Sequence, residues 1–349
     1  MAQPAVTMLE QHHDYGVILE ENGKVTCQMR VVNTGNEPLL IVKAQAGCGC
    51  TAVNYPEPPI LPGDTAAVAI TYNPSGRPGQ FSKQVLLFTN TTQRRTLLEI
   101  TGNVIPTQAT LDKEYPLKAG PLRISKGDIP FGELVKGKNK TQFLSCYNAS
   151  TDTIVVQVEG GQSHFCPAIV PDTVPPAMVT ALTVHYHSGK APLWGLNDDT
   201  LALSCHPLNC TAQDHPETAT IHVLAQVIEN FDNLTDKQRR DAPVVAVDCQ
   251  ERLDFGAIAA GETATRTFTV TNKGKEPLFI RRLWVPGGEG ITIKADKLEV
   301  KKGKKATVTV TVNTSALQGN MLNVPLTLMT NDPDSPRYTI RLVGLIDKQ

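Results

Sequence analysis

The sequence predicts an all-β chain of three tandem β-sandwich domains, with a short helical linker before the third. Three observations predict it. One pattern recurs three times at a spacing of roughly 110–120 residues, about the size of one sandwich domain. Strands of strict period two follow in each copy. The composition, rich in Thr, Val, Pro and Gly and poor in aromatic residues, favours short strands and tight turns.

Each copy opens on an aromatic-Gly pair: Tyr15-Gly16, Phe131-Gly132 and Phe255-Gly256. This pair is expected to end one strand. An alternating strand then runs to an asparagine, Asn33, Asn148 or Asn272. A turn follows, reading "NTGNEPL" in the first copy, "NKGKEPL" in the third and a diverged "NASTDTI" in the second. An apolar strand leaves the turn. Downstream, "AAVAITY", "TALTVHY" and "ATVTVTV" alternate cleanly. In the last, Val308, Val310 and Val312 share one face and Thr307, Thr309 and Thr311 the other, the mark of a half-buried strand. The copies close on "LLEITGNV", "IHVLAQV" and "IRLVGLI". Domains are therefore expected at 1–106, 107–230 and 244–349. The stretch 231–243 carries the helical signature: Thr235 with Gln238 three residues on forms a capping box, and Pro243 ends the run. The expected core includes Val31, Leu39, Ile41, Val68 and Ile70, with Val270, Leu278, Ile280, Val308 and Val310 as counterparts.

A formal charge of −1 over 349 residues gives no electrostatic reason to expect nucleic acid or an anionic membrane surface as partner. No apolar run approaches the ~20 residues of a transmembrane helix. The start "MAQPAV" reads as a mature N-terminus behind an initiator Met, with an export signal expected to have been removed. Eight cysteines, an even number, fit an oxidising compartment. There is no C-x-x-C, G-x-S-x-G, H-E-x-x-H or P-loop, so no enzyme is expected and neither a catalytic residue nor a cofactor is assigned.

The run "NTGNEPLLIVKAQAGCGCTAV", with the later "ILPGDTAAVAITYNPSGRPGQFSKQVLLFTN", resembles the bacterial immunoglobulin (Ig)-like family called domain of unknown function 1573. That family carries a Cys-Gly-Cys turn. The third domain is similar, with "PGGEG" in place of "GCGCT", and the second is a weak match. The three-domain arrangement resembles envelope proteins of Bacteroidetes. The resemblance implies an Ig-like fold and an exported protein of the periplasm or outer membrane, whose partner is another envelope protein or surface component. "DTA", "DTI", "DTV" and "DTL", beginning at Asp64, Asp152, Asp172 and Asp199, resemble the O-glycosylation acceptor of exported Bacteroidetes proteins.

Cys48 and Cys50 flank a single glycine. A bond between them closes a very small ring, so a mutual disulfide is not expected. In an extended segment both thiols share a face and could hold Cu(I) or Zn, with His12 or His13 brought near only by the fold. The preferred expectation is structural: small side chains beneath a turn opened by Gly47 and Gly49, or one of them bonded to Cys27. Cys205 and Cys210 are a candidate disulfide across a hairpin. Cys146 is expected in the core, Cys166 near the place of Cys50 and Cys249 in the first strand of the third domain. His185 and His187 share an outward strand face. The function expected is non-enzymatic binding or scaffolding in the cell envelope. The alternative is a thiol-based metal-binding or redox protein using Cys48 and Cys50.

Overall fold

The computed structural model describes residues 3–209, 217–249, 251–317 and 319–347. Its strands form six sheets, two facing sheets for each repeat. In the first domain, Val6–Met8, Val25–Asn33, Thr65–Tyr72 and Thr51–Asn54 lie side by side in that order. The facing sheet runs His12–Leu19, Arg95–Ile105, Gly79–Thr89, Ile41–Ala46. The third domain repeats this order and adds the short strand Glu299–Val300 beside Leu278–Trp284. The second domain builds two five-stranded sheets. In every domain the first long strand pairs in parallel with the last, and other neighbours are antiparallel. One apolar cluster fills each sandwich.

The ten core residues expected from the alternation are all buried, Val31, Leu39, Val68 and Ile70 completely. The aromatic-Gly pairs differ from expectation. The strands His12–Leu19, Asp128–Val135 and Arg252–Ala259 continue through them, and each pair sits at a register shift in the parallel ladder. The physical reason is a bulge: Gly16, Gly132 and Gly256 have φ of 64°, 68° and 71°, a conformation that lets one extra residue leave the ladder before pairing resumes. The aromatic rings of Phe131 and Phe255 turn into the core beside it.

The capping box is present: Thr235 Oγ1 accepts from the Gln238 amide and Gln238 Oε1 accepts from the Thr235 amide, opening helix Asp236–Asp241. A second short helix, Gln108–Glu114, stands at the first domain boundary, capped by Thr107. Its N3 residue is Thr110, so it lacks the Glu or Gln that marks a capping box in sequence.

Each repeat is closed by its asparagine. Asn33, Asn148 and Asn272 are fully buried. The Asn272 amide donates to the carbonyls of Glu276 (2.8 Å) and Val300 (2.9 Å), and its Oδ1 accepts from the Gly274 amide (2.9 Å). Asn33 makes the same three bonds with Glu37, Ile60 and Gly35, and Asn148 with Asp152, Val174 and Ser150. The side chain thus satisfies buried backbone groups of the turn and of the returning chain at once.

Replacing Asn272 with Ala is expected to lower domain stability by about 3 kcal/mol, roughly 1 kcal/mol for each backbone group left unpaired. Urea titration followed by tryptophan fluorescence would measure it. Truncating the fully buried Ile70 to Ala is expected to cost about 2–5 kcal/mol by the same titration, read by circular dichroism.

Candidate functional site

Residues 47–50 link two edge strands, Ile41–Ala46 of one sheet and Thr51–Asn54 of the other. They form a bend and a turn, with the Thr51 amide 3.3 Å from the Cys48 carbonyl. Cys48 and Cys50 are joined as a disulfide, which corrects the expectation that they would not pair. An extended segment would set these Cα atoms about 6.6–6.8 Å apart. The turn brings them to 5.3 Å, well inside the range that a disulfide spans. Cys27, the other suggested partner, is a buried free thiol.

The two sulfurs are not equivalent. Cys50 lies against the core at 7% exposure, whereas Cys48 is partly exposed. Thr51 Oγ1 lies 3.6 Å from Cys48 Sγ and 3.7 Å from Cys50 Sγ, so one hydroxyl serves both. A side chain at Gly49 would meet open space, and one at Gly47 would approach only the Gln84 carbonyl, at 3.6 Å. The turn is therefore accessible beside Cys48. In the third domain the corresponding chain passes through the turn around Gly287 and Gly288 without cysteine.

Burial disfavours the thiolate at four of the other cysteines. Burial raises the thiols of Cys27, Cys205 and Cys249 above the ordinary range and pushes Cys146 up to about 12. Cys205 donates to the Ala119 carbonyl at 3.2 Å; Cys210, its suggested partner, lies outside the described residues. Cys166 is exposed on Phe165–Val170 and stands opposite His185 in the ladder. Cys249 lies in the turn after the strand Val245–Val247, where the chain has already left the ladder. His185 and His187 stack edge to face at 4.5 Å, and burial, then His185 and Lys190, lower the His187 pKa. Among the described residues no group of three or more His, Cys, Asp or Glu side chains is placed to hold a metal.

Two features escaped the sequence. One is a buried pair, His164 Nε2 at 2.8 Å from Asp199 Oδ2, beneath Phe165 and Tyr186. Residues 35 apart carry no local signal of such a contact. The other is the junction of the second and third domains. Arg281 forms a two-pronged pair with Glu229 (2.9 and 3.1 Å) and lies over the Trp194 ring at 4.9 Å. Arg282 donates to the carbonyls of Trp194 (2.9 Å) and Leu196 (2.6 Å). Gly195 fits between them: a Cβ there would sit 2.9 Å from Met329 Sδ and 3.0 Å from Trp284.

The outer face of Leu278–Trp284 and Met321–Thr330 thus seats the preceding domain of the same chain. The first domain has the same face. "PLLIVKAQA" aligns with "PLFIRRLWV", and the ladders shift register at the same point, Ile41/Lys43 and Ile280/Arg282. Val42, Lys43, Gln45, Leu86 and Phe88 then stand where Arg281, Arg282, Trp284, Thr327 and Met329 stand. Val42 is 65% exposed, and Leu86 and Leu97, paired across the same face, are 37% and 45% exposed.

The double change Cys48→Ser with Cys50→Ser should leave the first domain folded. Closing a loop of three residues contributes about 1.6 kcal/mol in the chain-entropy description. A serine at the buried position adds a small polar cost. The expected loss is about 1–3 kcal/mol, measured by urea titration of the oxidised protein and the variant.

No curated protein sequence matches the chain. Among solved structures, a protein of unknown function from Porphyromonas gingivalis W83 is 18% identical, with a TM-score of 0.49, covering 65% of this chain and all of that one. The ASH/PapD-like domain of human CEP192 is 14% identical, with a TM-score of 0.27, covering 33% of this chain and 93% of that one. The YadV chaperone is 10% identical, with a TM-score of 0.26, covering 64% of this chain and all of that one. The model of the family described as protein of unknown function (DUF1573) matches residues 6–104 and again 247–346, together more than half of the sequence, and the chain belongs to that family.

Proposed function

We propose that the chain is a non-enzymatic binding or scaffolding protein of the bacterial cell envelope. One observation carries the binding reading. A sheet face that docks a neighbouring domain in the third repeat stands open in the first, with apolar residues at its centre. Exposed apolar groups gathered on one rigid sheet mark an interaction surface. Lys43 and Arg95 border the patch, and the Arg95 guanidinium lies 5.8 Å from the Phe88 ring, so an acidic rim on the partner suits it. Location in the envelope rests on the resemblance and on an even number of cysteines, two of them bonded. No helix among the described residues is long and apolar enough to cross a membrane.

The thiol-based alternative divides. Sulfurs joined to each other present no thiolate to a metal. Its redox half gains support from the bond itself and from the partial exposure of Cys48.

The binding reading is tested with Val42→Glu combined with Leu97→Glu. Both sites are exposed, so the fold should be retained within about 0.5 kcal/mol. Crosslinking in envelope fractions should give a defined adduct with the unaltered protein and lose about nine-tenths of it with the variant, a cost of about 1.4 kcal/mol. An adduct unchanged by both substitutions would refute this face as the binding surface.

A further inference from the structure

We infer that the Cys48–Cys50 disulfide is an exchangeable bond that passes its oxidising equivalents to a dithiol in an extended polypeptide segment. This rests on the redox half of the thiol reading and is independent of the binding reading.

Three placements in the fold support it. The bond lies at the rim of the core, with Cys50 buried in it and Cys48 packed against it but partly exposed beside two residues without side chains. Thr51 Oγ1 stands within 3.7 Å of either sulfur and can donate to whichever becomes a thiolate. Strand Ile41–Ala46, which leads into the turn, is the edge of its sheet. Its inner side pairs with Gly79–Thr89. On its outer side no described strand pairs with it, and only the bridge between Leu39 and Ile60 precedes it. An incoming extended segment can add to that edge through its backbone and carry a cysteine to the disulfide at its end. The equivalent edge in the third domain is partly covered by Glu299–Val300 and has no disulfide at its end. The bond is therefore unnecessary to the sandwich yet placed where a partner chain can reach it.

The chemistry balances. A partner thiolate attacks Cys48 Sγ, the more exposed sulfur. The bond between Cys48 and Cys50 breaks as a partner–Cys48 mixed disulfide forms. The electron pair leaves on Cys50 Sγ, whose thiolate accepts a hydrogen bond from Thr51. A second partner thiolate attacks the partner sulfur of the mixed disulfide and releases Cys48 as thiolate. The partner is oxidised by two electrons to a disulfide and the Cys48–Cys50 pair is reduced to a dithiol, its protons taken from water. A low-molecular-weight disulfide reoxidises the pair.

The test uses the full chain and a short unstructured peptide with two cysteines. Mixing the oxidised protein with the reduced peptide should form one peptide disulfide per chain, with the new protein thiols mapped by mass spectrometry to Cys48 and Cys50. The Cys48→Ser, Cys50→Ser double variant, which keeps the other thiols, supplies the background. With the oxidised peptide, Cys50→Ser should retain a mixed disulfide on Cys48, and Cys48→Ser about tenfold less on Cys50. Thr51→Val should slow exchange about threefold or more and move its pH profile to higher pH, as expected on losing a donor to the thiolate. A pair that stays oxidised in excess reduced peptide while the sandwich stays folded overturns the inference. So does preferential adduct formation on Cys50, or a Thr51→Val profile identical to the unaltered protein. The first measurement needs no variant, so a misfolded variant leaves it decisive.

Discussion

A buried side-chain amide holds each repeat together. Asn33, Asn148 and Asn272 each make two bonds within the turn and one to the returning chain from a single rigid group. Their own backbones join in: the Asn33 amide donates to the Asp64 carbonyl and its carbonyl accepts from Gly63, and Asn272 does the same with Lys304 and Gly303. A residue that fixes a strand end, a turn and a distant return at once ties one sheet to the chain that enters the other. It also sets the start of the strand after the turn, so the faces of Ile41–Ala46 and Leu278–Trp284 fall in register across repeats.

With the frame fixed this way, the repeats diverge in what they put on it. In the third, Arg281, Arg282 and Trp284 turn one outer face into a seat for Trp194, Gly195 and Leu196 of the preceding domain. The seat depends on a guanidinium that satisfies two carbonyls of the preceding domain at once. In the first, valine, leucine and phenylalanine keep the same face apolar and open. Here the frame decides position and the side chains decide use, as expected of function carried on a common fold.

The linkers obey the same economy. Glu20 accepts from the amides of Gly76 and Thr107 and from the Thr110 hydroxyl, and these bonds hold its carboxyl below the usual range even though desolvation acts against them. One carboxylate thereby ties a loop of the first domain to the cap of the helix that enters the second. Leu111 and Tyr115 of that helix region pack on Tyr147, with Val179 beside them. Polar and apolar contacts thus close the first junction, and an arginine pair closes the second.

What the sequence determined by itself is whatever depends on periodicity and local turn chemistry. Alternation at Val308, Val310 and Val312 fixed the buried faces, because a strand presents successive side chains to opposite sides. Thr235 and Gln238 fixed one helix start, because both partners of a capping box lie within one turn. The recurring Asn announced the repeats, although its role as a bracket was invisible, since Ile60 and Val300 lie 27 and 28 residues away. Tertiary structure decided the rest. The pairing of Cys48 with Cys50 turned on whether residues 47–50 were extended or bent, a difference of little more than an ångström between Cα atoms that local sequence does not set. The first helix carried too little of a cap to be read. The Arg281–Glu229 pair and the His164–Asp199 pair join residues 52 and 35 positions apart, and only the folded chain brings such groups within hydrogen-bonding distance.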